Sequence, residues 1–160
     1  MKIVDIANWL VENFPQTYFT GGTVRDWLMF GQAKDFDMAT AEKPQTIIKA
    51  LNNKQIPYQA NYIKQFAVLN IIAMDGKIEL ASFRKEQYLN GSRYPKIALT
   101  KSIQQDSWRR DFTINSLYFQ PNVNELLDFH NGLVDIKNRS IKFIGDPLIR
   151  IKEDPLRIVR

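Results

Sequence analysis

Phe19-Thr-Gly-Gly-Thr-Val-Arg-Asp-Trp-Leu-Met-Phe-Gly-Gln-Ala-Lys-Asp-Phe-Asp-Met-Ala-Thr40 joins a glycine pair, a short amphipathic segment and two carboxylates within one βαβ-sized unit. Gly21 and Gly22 stand between a β-branched and aromatic run, residues 17–20, and a helical stripe of Val24, Trp27 and Leu28. Adjacent glycines at such a junction allow close backbone approach and a nest of N–H groups for phosphate. The helix that follows adds the positive end of its dipole. By itself, a glycine pair is more often a tight turn. On a strand over 35–40, Asp35 and Asp37 point to one face and Phe36 to the other. Two such carboxylates suit a hard cation with oxygen ligands, and Mg²⁺ is the expectation. An isolated Asp-x-Asp is more often a solvated pair at a strand edge, so the pair alone does not establish a metal site.

Outward from this stretch, the pattern alternates helices and strands. Ile3, Ile6, Ala7, Leu10, Val11 and Phe14 predict an amphipathic helix over 2–14, ended by Pro15. Gly31 is placed to close the second helix from a C′ position. Pro44 opens a third, with Ile47, Ile48 and Leu51 on its buried face and Asn52-Asn53 at its end. Strands are expected over 56–63, 66–73 and 77–83, with a type I′ turn at Asp75-Gly76 between the last two. Residues 84–102 are polar and aperiodic, which predicts a long mobile connection. Residues 107–118 start helical; 126–129 and 141–144 are expected strands, with a turn at Asn131-Gly132. Gly145-Asp-Pro147 opens a basic, helical C-terminus that ends in mid-pattern at Arg160, as if the helix continued.

At 160 residues with 44% apolar side chains, the chain is long enough for one domain with a real core, or one domain and the start of another. It has no cysteine, which excludes disulfides, thiolate metal sites and cysteine nucleophiles and suits a cytoplasmic location. The single histidine, His130, rules out histidine-based metal clusters, and a structural role is the expectation for it. Carboxylates are therefore the available catalytic groups. No run of about 18 apolar residues is present, so no membrane-spanning helix is expected, and the N-terminus has no signal-peptide pattern. The net charge of +5 is compatible with a polyanionic partner, although many lysine-rich proteins are mildly basic.

Further constellations extend the site. Glu79, whose neighbours Ile78 and Leu80 face the opposite side of the strand, is either a third carboxylate facing Asp35 and Asp37 or an exposed strand glutamate. Arg25 is either a phosphate ligand or a brace to Asp26 or the Asp35 region. Arg109-Arg110-Asp111 and Asn115 put a carboxylate and an amide at helical spacing beside two guanidinium groups. Such a set can hold ribose hydroxyls and phosphates, or be a charged helix face. Asp154 and Arg157, i and i+3 on the last helix, offer acceptors and donors to the edge of a base, or form a surface salt bridge. The Trp and Phe residues at helical spacing are expected to be core.

In order and wording these motifs resemble the class II tRNA nucleotidyltransferase (CCA-adding enzyme) and bacterial poly(A) polymerase family. Gly21–Asp26 with Asp35-Phe-Asp37 matches its first motif, Arg109–Asn115 its second, Asn131–Ile136 loosely its third, and Glu153–Arg157 its fourth. Glu79–Arg84 resembles the family strand that carries a further acidic residue. The resemblance implies an α+β, DNA polymerase beta-like nucleotidyltransferase palm over 1–140, with a mixed, mainly antiparallel sheet flanked by helices. The start of a helical neck would occupy 141–160. It implies that Asp35 and Asp37 bind Mg²⁺, with Glu79 alongside. Asp111 would recognise the ribose 2′-hydroxyl, Arg110 and Asn115 would hold the nucleotide, and Asp154 and Arg157 would pair with the base of CTP or ATP. The implied activity is addition of CMP and AMP to the tRNA 3′ end with release of pyrophosphate. Alternatives are a poly(A) polymerase, a C-only or A-only enzyme, or a nucleotide- or RNA-binding fragment without turnover.

Overall fold

A computed structural model describes residues 1–62, 66–88 and 94–159, with side chains described for all of these except 61 and 62. The N-terminal helix α1 (Ile3–Asn13) buries Ile3, Ile6, Ala7, Leu10 and Val11 as the periodicity predicts. Strand β1 (Thr17–Thr20) runs into α2 (Gly21–Phe30), which stops at Gly31, left-handed at φ 71°. Strand β2 (Phe36–Thr40) and helix α3 (Pro44–Lys54) follow, α3 running two residues past Asn52 to a left-handed Gln55.

Strands β3 (Tyr58–Tyr62), β4 (Val68–Ala73) and β5 (Gly76–Ser82) continue the sheet, the predicted residue 63 lying outside the described residues. The β4–β5 hairpin is present, but Ala73 pairs with Gly76, so its turn is Met74-Asp75 and not Asp75-Gly76. The N-terminus explains the shift. Met74 donates its amide to Met1, and the Asp75 carboxylate accepts from the Ile3 amide at 2.8 Å. Gly76 has a positive φ of 149°, which L side chains rarely adopt, and a Cβ there would meet Ile3 Cδ1 at 2.9 Å.

The stretch expected to be a loop is largely ordered. Strands β6 (Arg84–Gln87) and β7 (Lys96–Leu99) form a separate two-stranded sheet, and helix α4 spans Ile103–Trp108; residues 89–93 lie outside the described residues. The 107–118 segment is accordingly helical only at its start. It holds the end of α4, a 3₁₀ turn at Thr113–Asn115 and strand β8 (Leu117–Gln120). Strand β9 (Glu125–Asp128) pairs with β8, and the predicted Asn131-Gly132 turn opens a short helix, α5 (Gly132–Lys137). The strand expected over 141–144 reduces to a single bridge, Phe112 to Phe143. Helix α6 (Pro147–Glu153), capped by the Asp146 carboxylate, and a 3₁₀ turn over Pro155–Val159 are the last elements among the described residues.

The main sheet has the order β3-β4-β5-β2-β1-β8-β9 and is antiparallel except for the β2–β5 pair, so it is mixed and mainly antiparallel. α1 and α3 cover one face, where Leu10, Leu51, Ile71, Ile78 and Leu80 are fully buried, each contributing roughly 1.5–3 kcal/mol. On the other face Ala39, Phe83 and Tyr118 form a smaller cluster. Not every helical aromatic is core: Phe30 and Trp108 are exposed. Among the described residues, no helix is long and apolar enough to cross a membrane.

α5 supports the 3₁₀ turn from below, Asp135 accepting from Thr113 Oγ1 at 2.8 Å. Gly132 makes this approach possible, because a Cβ there would sit 2.4 Å from the Thr113 carbonyl oxygen. Gly132→Ala should therefore cost about 1–3 kcal/mol, as overpacking against backbone does. A denaturation midpoint equal to that of the wild type would refute this.

Candidate active site

The carboxylate half begins where β1 meets α2. Gly21 has φ 60°, and a Cβ on it would lie 3.2 Å from Asp37 Oδ2 and 3.6 Å from Arg110 Nη1. A Cβ on Gly22 would lie 3.4 Å from Arg25 Nη2, and its amide donates to the Asp37 carboxylate. The glycine pair thus does allow a close approach, first of all to Asp37. Thr23, fully buried, fixes the carboxylate segment from the same turn. Its hydroxyl accepts from the Asp37 amide at 2.6 Å and donates to the Asp35 carbonyl at 2.9 Å.

Asp37 lies on β2 directly opposite Glu79 on β5, and the two line one recess of about 190 Å³ with Arg84, Arg109 and Arg110. Cross-strand partners share a face, so Glu79 faces Asp37. Asp35 is exposed and just precedes the strand, but its charge is felt at Asp37. Burial, then Glu79, then Asp35 push the Asp37 carboxyl above its ordinary value, against Arg110 and the Gly22 amide. Among the described residues no three His, Cys, Asp or Glu side chains form a ready-made metal cluster. The donor chemistry nevertheless fits a hard cation. Oxygen donors that repel one another are held together, and a divalent ion beside them would reverse that penalty.

Arg110 links this half to the next. Its guanidinium donates to Tyr118 Oη at 2.7 Å and to the Asn115 carbonyl at 3.2 Å, and pairs with Asp106 at 3.4 Å. Burial disfavours its charge, but Tyr118 and Asp106 outweigh this and raise its pKa. Asp106, on α4 and with no exposed surface, also accepts from the Arg84 amide at 3.0 Å, Arg109 Nε at 2.7 Å and Tyr118 Oη at 2.8 Å. Burial pushes its carboxyl up, yet Arg109, Arg110 and these donors pull it down to about 2.

Asn115 joins the first and second motifs. Its Oδ1 accepts from Arg25 Nη1 at 2.7 Å, and its Nδ2 donates to Asp111 Oδ1 at 3.4 Å. Arg25 is thus braced, to Asn115 and to Asp26 at 2.8 Å. Asp111 and Asn115 then line a cleft of about 340 Å³ with Tyr88, Arg110, Asp154 and Arg157.

Asp154 and Arg157 do not share one regular helix. Asp154 is the extended residue that ends α6, and its carboxylate accepts from the Leu156 amide at 3.2 Å. Pro155, which follows, forces the break, since the residue before proline is disfavoured in the helical region. Both side chains still reach the cleft. Arg157 is 2% exposed and pairs with Glu153 at 2.7 Å, so its ion pair is buried rather than at the surface, and its Nε has no hydrogen-bond partner among the described residues. Arg157 Nη2 also donates to Tyr88 Oη at 3.1 Å, and Tyr88 donates to Glu86 at 3.0 Å. Glu86 is in turn paired with Arg84 at 2.8 Å and Arg109 at 3.5 Å. His130 stands apart, its Nε2 2.9 Å from Ser107 Oγ and its ring against Trp108.

The sequence reading missed Thr23, Glu86, Tyr88, Asp106 and Arg150. A signal existed for three of them. Arg84, Glu86 and Tyr88 alternate at strand spacing inside the supposed loop, and Asp106 lies at i−3 and i−4 from Arg109 and Arg110.

A protein 35% identical over 146 residues is the CCA-adding enzyme of Staphylococcus epidermidis, the match covering 91% of this chain and 35% of that protein. Poly(A) polymerase I of Haemophilus influenzae is 33% identical over 156 residues, covering 91% of this chain and 33% of that protein. The chain thus spans about a third of the length of the curated relatives it matches. The Bacillus stearothermophilus CCA-adding enzyme, solved in complex with CTP, superposes with a TM-score of 0.78 at 25% identity. That match covers 100% of this chain and 38% of the other, so the fold is the nucleotidyltransferase palm. Residues 17–142 match the family model described as the poly A polymerase head domain, and the chain belongs to that family.

Proposed function

We propose that this chain is the nucleotidyl-transferring part of an enzyme that adds CMP and AMP to the 3′ end of tRNA, releasing pyrophosphate. The observation that carries the reading is the convergence of two chemically distinct half-sites on Arg110. The carboxylates Asp37 and Glu79 lie on one side of it, and the cleft of Asp111, Asn115, Asp154 and Arg157 on the other. Asp35 and Asp37 would hold Mg²⁺, with Glu79 beside them. When bound, the ion supplies charge neutralisation at the reacting phosphates. In the same reading the Gly21-Gly22 turn and Arg25 face the triphosphate, Arg110 holds its charge, and Asn115 keeps Asp111 aimed at the ribose. Asp111 accepts from the 2′-hydroxyl. Arg157 offers donors and Asp154 acceptors to the base edge from the lining of the cleft. The RNA 3′-hydroxyl attacks the α-phosphate. A palm over 1–140, the start of a helical neck over 141–160 and a cytoplasmic location complete the proposal.

The solved and curated relatives that carry CTP or the name CCA-adding enzyme support this reading, and the Haemophilus influenzae relative supports poly(A) addition as the second. The test uses tRNA lacking its CCA end, Mg²⁺ and each labelled nucleotide, with this chain and with the complete gene product. Incorporation of C and then A is the expected result. A tails alone would establish the second reading, and C or A alone an enzyme restricted to one nucleotide. Bound nucleotide without incorporation by the complete gene product would refute an enzymatic role.

A further inference from the structure

We propose that Arg150 is a positioning residue for nucleotide selection, fixing the base-reading side chains relative to the segment that faces the ribose. This rests on the reading of Asp111, Asp154 and Arg157 given above. Arg150 sits on α6 and is 9% exposed. Its Nη2 donates to two consecutive main-chain carbonyls, Arg109 at 2.7 Å and Arg110 at 2.5 Å, some 40 residues away in sequence. Its Nη1 donates to Glu153 at 2.7 Å.

Each of these contacts ends on a part of the nucleotide cleft. Arg110 is joined by a peptide bond to Asp111, so a charged donor shared by the carbonyls of 109 and 110 limits both the shift and the rotation of the backbone that aims Asp111. On the other side, Glu153 accepts from Arg157 Nη1 at 2.7 Å, and that same nitrogen donates to the Arg150 carbonyl at 2.9 Å. Arg150 thus grips the base-reading arginine through its main chain and through Glu153, and grips the ribose segment through its guanidinium. The remaining nitrogen, Nε, is buried and has no hydrogen-bond partner among the described residues, so the hydrogen bonds the side chain makes there are these. A lysine would keep the charge, but a single nitrogen cannot span both carbonyls and Glu153 as the planar fork does.

Displacing either wall of the cleft changes which base and which sugar fit. Misplacement by about 1 Å can cost on the order of 100-fold in rate, so an effect of roughly tenfold or more is expected from a partial loss of register. The experiment compares Arg150→Lys, Arg150→Gln, Arg157→Ala and the remote core variant Leu10→Ala in the complete gene product. It measures kcat/KM for CTP, ATP, GTP, UTP and the 2′-deoxy forms of the accepted nucleotides, together with Tm. The expected result is that both Arg150 variants lose about tenfold or more in discrimination among bases and against the deoxy sugar. Leu10→Ala should lose stability and keep its selectivity. Arg150 variants that lose only stability, with both discriminations intact while Arg157→Ala changes base choice, would overturn this proposal and leave the base-reading cleft standing. If Arg157→Ala also leaves base choice unchanged, the reading of the cleft falls and this proposal with it.

Discussion

Asp35→Ala combined with Asp37→Ala should abolish nucleotide transfer while leaving the fold intact. Charge stabilisation by a bound metal is worth several kcal/mol at a phosphoryl transition state. At about 1.4 kcal/mol per factor of ten, turnover should drop by roughly 10³ or more. The fold should survive because Asp37 is not a stabilising charge in the metal-free protein. Its carboxyl is pushed up by burial, Glu79 and Asp35. A carboxylate whose folded pKa is raised opposes folding in its ionised form: stability falls as pH rises through the raised value, and the whole penalty is present above it. Asp37→Asn should therefore be as stable as the wild type, or more so, near pH 7 in a chelator. Mg²⁺ supplies a second readout independent of turnover. A ligand bound only by the folded state raises stability by about 2.7 kcal/mol at 100 times its Kd. The wild type should gain Tm as Mg²⁺ is added, and the double variant should not. Transfer at the wild-type rate by the double variant, or an equal gain in Tm, would remove these residues from the metal site.

How far the site could be read in advance depended on whether contacts are local. Gly21, Gly22, Asp35 and Asp37 were legible because a strand, a tight turn and a following strand confine them within a few residues. For Glu79, alternation put it on the face opposite Ile78 and Leu80 but left open whether that face was the site or solvent; the β2–β5 pairing, which sets it against Asp37, is not local and was not legible. Residues 84–102 misled because periodicity was sought in the hydrophobic residues. The organising side chains of β6 are Arg84, Glu86 and Tyr88, which pair with one another, with Arg109 just after α4 and with Arg157 beyond α6. A polar strand held by buried ion pairs looks like a loop until those partners are in place. Asp154 and Arg157 were proposed to read the base from the family resemblance, since spacing alone favoured a surface salt bridge, and their geometry was not foreseen. Pro155 divides Asp154 from Arg157, and Glu153, adjacent in sequence, is the residue that pairs with Arg157. The hairpin turn moved by one residue because the N-terminus, 72 positions away from Asp75, claims its carboxylate. Arg150 offered no pattern at all, since main-chain carbonyls 40 and 41 residues away leave no trace in sequence.

Asp106→Ala should be among the most damaging single changes in stability that this chain can carry. The Asp106 carboxylate is the common acceptor for the Arg84 amide, Arg109, Arg110 and Tyr118. Removing one partner of a buried ion pair costs about 3–5 kcal/mol, because the charges left behind are uncompensated. At roughly 2–4 °C per kcal/mol for a protein of this size, Tm should fall by about 6–20 °C. Asp106→Asn tests charge apart from shape, since its amide nitrogen would meet groups that themselves donate. The pH dependence follows from the depressed carboxyl, pulled from an ordinary 3.8 down to about 2. The folded state binds the proton less readily than the unfolded chain. Its contribution, about 2 kcal/mol by linkage, is complete above the unfolded value and disappears as pH falls from about 4 through about 2. Denaturant unfolding of the wild type should thus lose stability across that window, and Asp106→Asn should lose about 2 kcal/mol less over the same range. Transfer should weaken in both variants, because Arg110 and Arg109 would no longer be held between the two half-sites. An asparagine variant with the wild-type unfolding midpoint at pH 7 and the same loss of stability in acid would show that Asp106 does not organise this network.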